Sequence, residues 1–567
     1  MMKIVIVGGV AAGASAAARA RRLSEEAEIV LLEKGEFVSF ANCGLPYHVS
    51  GAIEKRDSLV VVTPKTLREW FNLDVRTMSE VTAIDREGKK VSVTDRGSGL
   101  SYQETYDKLI LCQGAAALSL EVPGADDPRI FPLRTIPEMD GIIAAIDGGA
   151  TAALVIGANY IGIEAAEALI QRGLSVDLVE LQDQVMPALD REMANDLRFH
   201  IEDRGVRVHL DSSVQAFSEA GGRLVARLAD GGSVVADLAV MAVGVRPDTA
   251  LAEAAGLALG ATGGVRVDRH MLTSDPDIYA AGDMVEVTDA VTGLSARIPL
   301  AGPANRQGRV AANHIFGRDD AYVSTQGSAI VKVFEMTAAI TGASEKTLKA
   351  AGMDYRKIYL HPYGHASYYP GTEPMHLKLL FAPGDGRLLG AQIVGFDGVD
   401  KRIDVLATAL RAGMTVHDLE HLELAYAPPY GSAKDPVNMA GFVGVNLLEG
   451  DVDFWYPEDF PERTAGGVIL DVRTNIEYRN GHIAGALHIP LSELRSRLGE
   501  LEPYRDRDIF TYCLTGIRSY YALRILRLNG YDNVYNLSGS WKTWTSHFQT
   551  RGEDGARLLP HTEAVED

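Results

Sequence analysis

The 567-residue chain carries a formal net charge of −21, with 46% hydrophobic and 23% charged residues. That is enough apolar material for several packed domains, and the balance is too acidic for unaided binding to nucleic acid or an anionic membrane surface. Three cysteines, Cys43, Cys112 and Cys513, are too few and too scattered for a disulfide framework or a structural zinc site, so no metal is expected.

The opening MMKIVIVGG has no cleavage-site pattern and no membrane-length apolar run, which predicts a cytoplasmic protein without an integral membrane segment. Residues 3–23, KIVIVGGVAAGASAAARARRL, read as a buried strand, a Gly-rich turn and a small-residue helix. Gly8 permits the sharp turn, Gly13 permits close helix–strand approach, and the helix N-terminus offers free N–H groups to a pyrophosphate. Val10 stands where a middle glycine is usual. EIVLLEKG supplies a second strand ending in Glu33, about 20 residues on, where an adenosine ribose is expected.

The pattern repeats in TAALVIGANYIGIEAAEAL, with Gly157 and Gly162 at the same spacing and Asn159 in the middle place. SVDLVELQD then ends a strand in Glu180. An acidic side chain there accepts from a ribose 2′-OH and repels a 2′-phosphate, which favours NADH over NADPH. In TSDPDIYAAGDMVEV, Asp283 follows an apolar strand and a glycine, a position suited to a flavin's sugar-like chain.

The two glycine turns followed by YAAGD resemble the pyridine nucleotide–disulfide reductase family over about the first 445 residues. The resemblance implies FAD in the first fold, NADH in the second, and a homodimer built through a C-terminal interface domain. It divides the chain into an FAD-binding domain (1–113 and 247–322), an NAD-binding domain (114–246) and an α+β dimerisation domain (323–446). The stretch 299–317, PLAGPANRQGRVAANHIFG, would be the helix whose N-terminus faces the flavin ring. It reads equally as an ordinary capped helix.

The stretch SFANCGLPY places Cys43 among small residues, and the fifth position beyond it is His48, so no internal redox disulfide forms here. This stretch resembles the coenzyme A-disulfide reductase branch, in which one cysteine cycles through a mixed disulfide with coenzyme A. The resemblance makes Ser39 and Asn42 substrate-contacting residues. It makes Tyr368 of HASYYPG and Tyr426 of LAYAPPYGSAKDPVN a pair that reaches the second subunit's cysteine; the adjacent Tyr369 and Tyr430 leave the choice of pair open. Arg19 and Arg22 resemble positions that hold coenzyme A phosphates, and they fit solvated helix charge equally well. Cys112, in LILCQGA, reads as a core residue. An NADH oxidase or peroxidase cycling through a Cys43 sulfenic acid, and a non-catalytic flavin-based sulfur sensor, are the competing readings.

Residues 447–463 are acidic, aromatic and proline-bearing and read as a linker. Residues 464–555 resemble a rhodanese domain, a second α/β module, and 556–567 form a tail. There a strand delivers Cys513 into CLTGIR, whose backbone N–H groups, helix dipole and Arg518 would stabilise a thiolate or persulfide. Four residues between Cys513 and Arg518, one fewer than in related phosphatases, favour sulfur transfer over phosphate hydrolysis. Together the motifs predict NADH-driven, FAD-dependent reduction of coenzyme A disulfide, persulfide or polysulfide at Cys43, with sulfane sulfur handled by Cys513. The expected partners are coenzyme A and small persulfides.

Overall fold

A computed structural model describes residues 1–552 and 555–565. Residues 553–554, near the end of the expected rhodanese domain, and 566–567, in the expected tail, lie outside the described residues. The chain divides into two compact units, 1–183 with 205–327, and 184–204 with 328–567.

The first unit holds two parallel sheets of five strands. In the first, Lys3–Val7 lies between Glu28–Leu32 and Lys108–Leu111, with Asp74–Arg76 and Ile278–Ala280 outside them. In the second, Ala152–Ile156 lies between Ser175–Val179 and Leu238–Met241, flanked by Val206–His209 and Ile130–Phe131. The central strands bury almost every side chain, as β-branched runs covered on both faces must. Each glycine turn follows the central strand of its sheet, at the point where strand order reverses and a crevice opens beyond the strand ends. Cys112 is a buried member of this core, as expected, and burial raises its thiol pKa.

The second unit is built around two five-stranded sheets. An antiparallel sheet runs Ala329–Val333, Met336–Gly342, Leu388–Gly395, Met375–Phe381, Arg356–Leu360. A parallel sheet runs Phe454–Trp455, Val534–Leu537, Ile509–Tyr512, Val468–Asp471, Leu487–His488. The stretch expected as linker therefore supplies an edge strand. Its aromatic content explains this, because Trp455 is fully buried against Phe510 and Trp544. The tail also pairs, with Thr562–Glu563 lying antiparallel to His482–Ile483.

Helix Arg191–Asp203 belongs to the second unit, although it lies within the stretch 114–246 read as nucleotide-binding. The fully buried Lys378 shows what draws it there: its ammonium lies 2.8 Å from Asp190, 2.5 Å from Glu192 and 2.5 Å from Glu345. Three converging carboxylates could hold a metal ion, but here the ammonium occupies their common centre. The same helix is tied to the parallel-sheet module by Ser546, whose hydroxyl donates to Asp196 at 2.5 Å.

Candidate active site

The first glycine turn is built so that nothing larger than glycine fits. Gly8 has φ +97°, and a Cβ there would lie 2.3 Å from the Cys112 carbonyl oxygen; a Cβ on Gly13 would lie 1.8 Å from the Gly8 oxygen. These contacts bring helix Ala11–Arg21 onto the strand with its N-terminal N–H groups open. Glu33 stands beside the turn, accepting from the N–H of Gly9 at 2.7 Å and of Gly35 at 2.8 Å. The second turn repeats the arrangement: Gly157 has φ +97°, a Cβ on Gly162 would meet the Gly157 oxygen at 1.8 Å, and the buried Glu180 accepts from Ala158 at 2.7 Å and Gln182 at 2.9 Å. Two tight turns with two carboxylates at the ends of the neighbouring strands fit two dinucleotides.

Asp283 follows strand Ile278–Ala280 and faces Arg134 at 3.8 Å, with burial raising its carboxyl pKa. Beside it, helix Ala301–Ile315 packs against helix Ala11–Arg21; a Cβ on Gly308 would lie 2.2 Å from the Ala12 oxygen. Gln307 on that helix accepts from the Gly282 N–H at 2.7 Å. The stretch 299–317 thus holds a helix, Ala301–Ile315, whose N-terminus carries no side-chain cap.

Cys43 lies in a single 3₁₀ turn, Asn42–Gly44, immediately before helix Leu45–Val49, and it is exposed. Partial desolvation, then Glu164, then Asp283, raise its thiol pKa. Sequence reasoning missed Glu164 and Tyr47. Tyr47, one turn beyond Cys43, donates to Glu164 at 3.1 Å, and burial pushes the Glu164 carboxyl up to about 7 despite that bond. Glu164 was visible as one of two carboxylates, with Glu167, in the apolar helix after the second glycine turn, but only the fold brings that helix to Cys43. His48 does not substitute for a second thiol; its Nδ1 lies 2.5 Å from the Ile53 carbonyl oxygen. Asn42 donates to the Arg134 carbonyl oxygen at 2.9 Å.

A cavity of about 350 Å³ opens between the two packed helices, lined by Ser15, Arg22, Ser39, Phe71, Asn305 and Arg309 among others. It brings the expected Arg22 and Ser39 together and adds Arg309, whose position follows from the Gly308–Ala12 approach. Arg19 points elsewhere, donating to Asn313 at 2.6 Å, although burial and the nearby Arg309, Arg318 and Arg22 charges lower its pKa. The result is a guanidinium cluster of the kind that binds phosphates.

In the second unit, the hydroxyls of Tyr368 and Tyr426 lie 2.8 Å apart. Both side chains are exposed, and the bond raises the Tyr368 pKa. Tyr369 instead stacks edge-on against His365.

Cys513 follows strand Ile509–Tyr512 and precedes helix Ile517–Leu528. Gly516 takes φ +105°, and its N–H donates to the Cys513 sulfur at 3.2 Å; Ser519 Oγ donates at 3.4 Å. The Cys513 backbone is anchored by Ser540 and Trp541. Arg518 forms a bidentate pair with Glu477, at 2.8 and 2.6 Å, and its charge acts on Cys513. Glu477 was not foreseen, though TNIE at 474–477 is a helix-start signature: Thr474 and Glu477 form a capping box.

Comparison with known proteins agrees with this geometry. Residues 2–308 match the pyridine nucleotide-disulphide oxidoreductase family, 328–435 its dimerisation domain, and 457–547 the rhodanese-like domain. A coenzyme A disulfide reductase of Staphylococcus haemolyticus is 36% identical over 449 residues, 79% of this chain and 100% of the relative. The structure of reduced Bacillus anthracis CoADR-RHD is 45% identical, with a TM-score of 0.93 over 96% of this chain and 98% of the other. That of an NAD-dependent persulfide reductase from A. fulgidus is 39% identical, with a TM-score of 0.90 over 96% and 100%.

Proposed function

Because the chain belongs to the pyridine nucleotide-disulphide oxidoreductase family and carries a rhodanese-like domain, we propose that it is an FAD-dependent enzyme that reduces coenzyme A disulfide or persulfide, or polysulfide, with NADH. The observation that carries this reading is Cys43, an exposed thiol on a turn ahead of a short helix, with no cysteine at the position where an internal disulfide would close. Its partner sulfur must come from a substrate. The structures of CoADR-RHD and of the persulfide reductase, alike over nearly the whole chain, support the same reading.

The Cys43 thiolate attacks one sulfur of coenzyme A–S–S–X; that S–S bond breaks, X–S⁻ leaves, and a Cys43–coenzyme A mixed disulfide forms. FAD held here would supply the chemistry of passing an electron pair from NADH to that disulfide; with NAD⁺ and a proton released, the Cys43 thiolate and the coenzyme A thiolate would be restored. Gly8, Gly13, Glu33 and Asp283 would hold FAD; Gly157, Gly162 and Glu180 would hold NADH. Arg22, Arg309 and Ser39 would bind coenzyme A, with Arg19 shaping the field and Asn42 fixing the turn. Tyr368 and Tyr426, from the second subunit of a homodimer, would donate a proton to the leaving thiolate. Cys513 would take sulfane sulfur as a persulfide. Dependence on NADH and reduced thiols would suit the cytoplasm. Among the described residues no helix is long and apolar enough to cross a membrane.

Mass spectrometry of the denatured protein tests the reading. Release of FAD and a coenzyme A adduct on the Cys43 peptide are expected; an unmodified, flavin-free protein that does not oxidise NADH with coenzyme A disulfide, persulfide or polysulfide would overturn it.

A further inference from the structure

The cation of the sulfur-binding loop is already committed. Arg518 gives both terminal nitrogens to Glu477, and Glu477 has little freedom to release them. Its Oε2 also accepts from the Thr474 N–H at 2.9 Å and hydroxyl at 2.7 Å, which fixes the carboxylate on the first turn of helix Asn475–Arg479. The Arg518 pairing and the Thr474 bonds, working against burial, bring the Glu477 carboxyl down to about 2, so it stays ionised throughout the neutral range. The pair is half-buried, with side chains 30% and 26% exposed. The positive charge expected over Cys513 is therefore balanced by an equal negative charge held in place.

The residues next in sequence to the pair are exposed isoleucines: Ile476, beside Glu477, and Ile517, beside Arg518, are 72% and 48% exposed. Cys513 itself has no exposed surface; its sulfur accepts from Gly516 and Ser519, and the charge of the partly exposed Arg518 acts on it. A donor must bring its sulfane sulfur to a loop whose guanidinium is neutralised by a fixed carboxylate.

We propose that Glu477 is a specificity-determining residue of the Cys513 site: by neutralising Arg518 it disfavours small anionic sulfur donors such as thiosulfate and favours organic persulfides whose sulfur-bearing end is uncharged. This deepens the reading of Cys513 as a sulfur carrier and rests on it. With an organic persulfide, the Cys513 thiolate attacks the terminal sulfur of R–S–SH, the S–S bond breaks, Cys513–S–SH forms and R–S⁻ leaves. With thiosulfate, Cys513–S–S⁻ forms and sulfite leaves, so a donor with two negative charges must approach a site offering no net positive charge.

The test compares alkylation of Cys513 in the full-length flavoprotein by neutral iodoacetamide and anionic iodoacetate, read from the Cys513 peptide, with Cys43 as internal control. Glu477→Gln keeps an oxygen acceptor for the Thr474 cap and removes the charge. It should raise the iodoacetate-to-iodoacetamide rate ratio at Cys513 about tenfold, the scale of ~1.4 kcal/mol left from a screened charge pair. Glu477→Asp, which keeps the charge, should stay near the wild-type ratio. In the wild type the iodoacetate rate should change less than about twofold between low and high salt, since a neutral pair leaves little field to screen. A ratio unmoved by Glu477→Gln, with both reagents rising or falling together, would show that Glu477 acts through structure alone and overturn the proposal. A steep fall of the wild-type iodoacetate rate with salt would show an uncompensated cation and overturn it as well. Because alkylation needs no sulfur donor, the ratio is read whether or not a persulfide loads Cys513, and the two readings can fail separately.

Discussion

Tyr368 and Tyr426 meet through their hydroxyls at 2.8 Å across 58 residues of chain, although each has a neighbouring tyrosine that could have taken its place. A phenol that accepts from another phenol has its own O–H free to donate, and two linked phenols can pass a proton outward. If the pair protonates a leaving thiolate, Tyr426→Phe should lower kcat for coenzyme A disulfide about a hundredfold, at the lower end of what general acids contribute, with FAD content unchanged. Steady-state kinetics at saturating disulfide decides it; an unaltered kcat would assign the pair to packing.

The two cysteines should separate cleanly by activity. Cys43→Ser is expected to abolish NADH-dependent disulfide and persulfide reduction while FAD stays bound, because Gly8, Gly13 and Glu33 build their turn without the thiol. Cys513→Ser should retain reduction of small disulfides and lose sulfur transfer. Parallel assays of both activities on both variants check this, and joint loss of both in a folded Cys513→Ser protein would show that the sites do not divide the work.

Glu180 should set nucleotide preference. Its buried carboxylate is aimed by the Ala158 and Gln182 N–H groups, and a 2′-phosphate beside it meets like charge. NADH should exceed NADPH in kcat/KM by more than about tenfold, equivalent to ~1.4 kcal/mol, and Glu180→Gln should narrow the gap. Equal specificity constants in the wild type would refute the assignment.

Both glycine turns were legible in the sequence, because a glycine that admits no Cβ leaves a fixed spacing and the strand-end acids follow at fixed distance. Cys513 was legible for the same reason: its loop is local. What escaped were charges whose meaning depends on remote chain. Arg309 reads as helix surface until Gly308 brings its helix onto Ala12. Glu164 reads as a stray carboxylate until its helix meets Tyr47. Lys378, in the run MHLKLLF, looks like one polar residue in an alternating strand; its partners Asp190 and Glu192 stand 188 and 186 residues earlier, beyond the reach of any periodic pattern. The aromatic stretch FWYPEDF read as linker because prolines and acids mark loops, while Trp455 needed a core to fill.

Glu164 should leave a signature in stability against pH. Its carboxyl is raised from 4.5 to about 7 by burial, in spite of Tyr47, so the folded state holds the proton more tightly than the unfolded one. That contribution is complete below pH ~4.5 and fades as pH rises through about 7. Glu164→Gln, which carries no ionisable proton, should therefore gain stability relative to the wild type between pH 5 and 8. Thermal unfolding across that range checks the sign; a gap that shrinks as pH rises would contradict it.

The strongest stability effect should come from Lys378. Burial alone would raise the Glu192 carboxyl, but the Lys378 ammonium outweighs it and brings the value to about 2; Glu345 is likewise held well down by Lys378 and Lys357. Replacing Lys378 by Met leaves Asp190, Glu192 and Glu345 converging in a dry interior, with the Lys357 ammonium 3.0 Å and the more exposed Lys349 ammonium 3.5 Å from Glu345 to oppose them. Loss of one partner from such a group costs about 3–5 kcal/mol, read as a lower denaturant midpoint for the second unit. The sign of the pH dependence should reverse too. In the wild type, depressed carboxyls contribute stability above pH ~4.5 that is lost as pH falls towards about 2. In Lys378→Met the same groups have raised values, so acidification from neutral pH should narrow the deficit by letting them take up protons. A deficit that stays constant from pH 7 to 5 would mean that the carboxylates are rescued by water or Lys357, and that Lys378 contributes packing rather than charge.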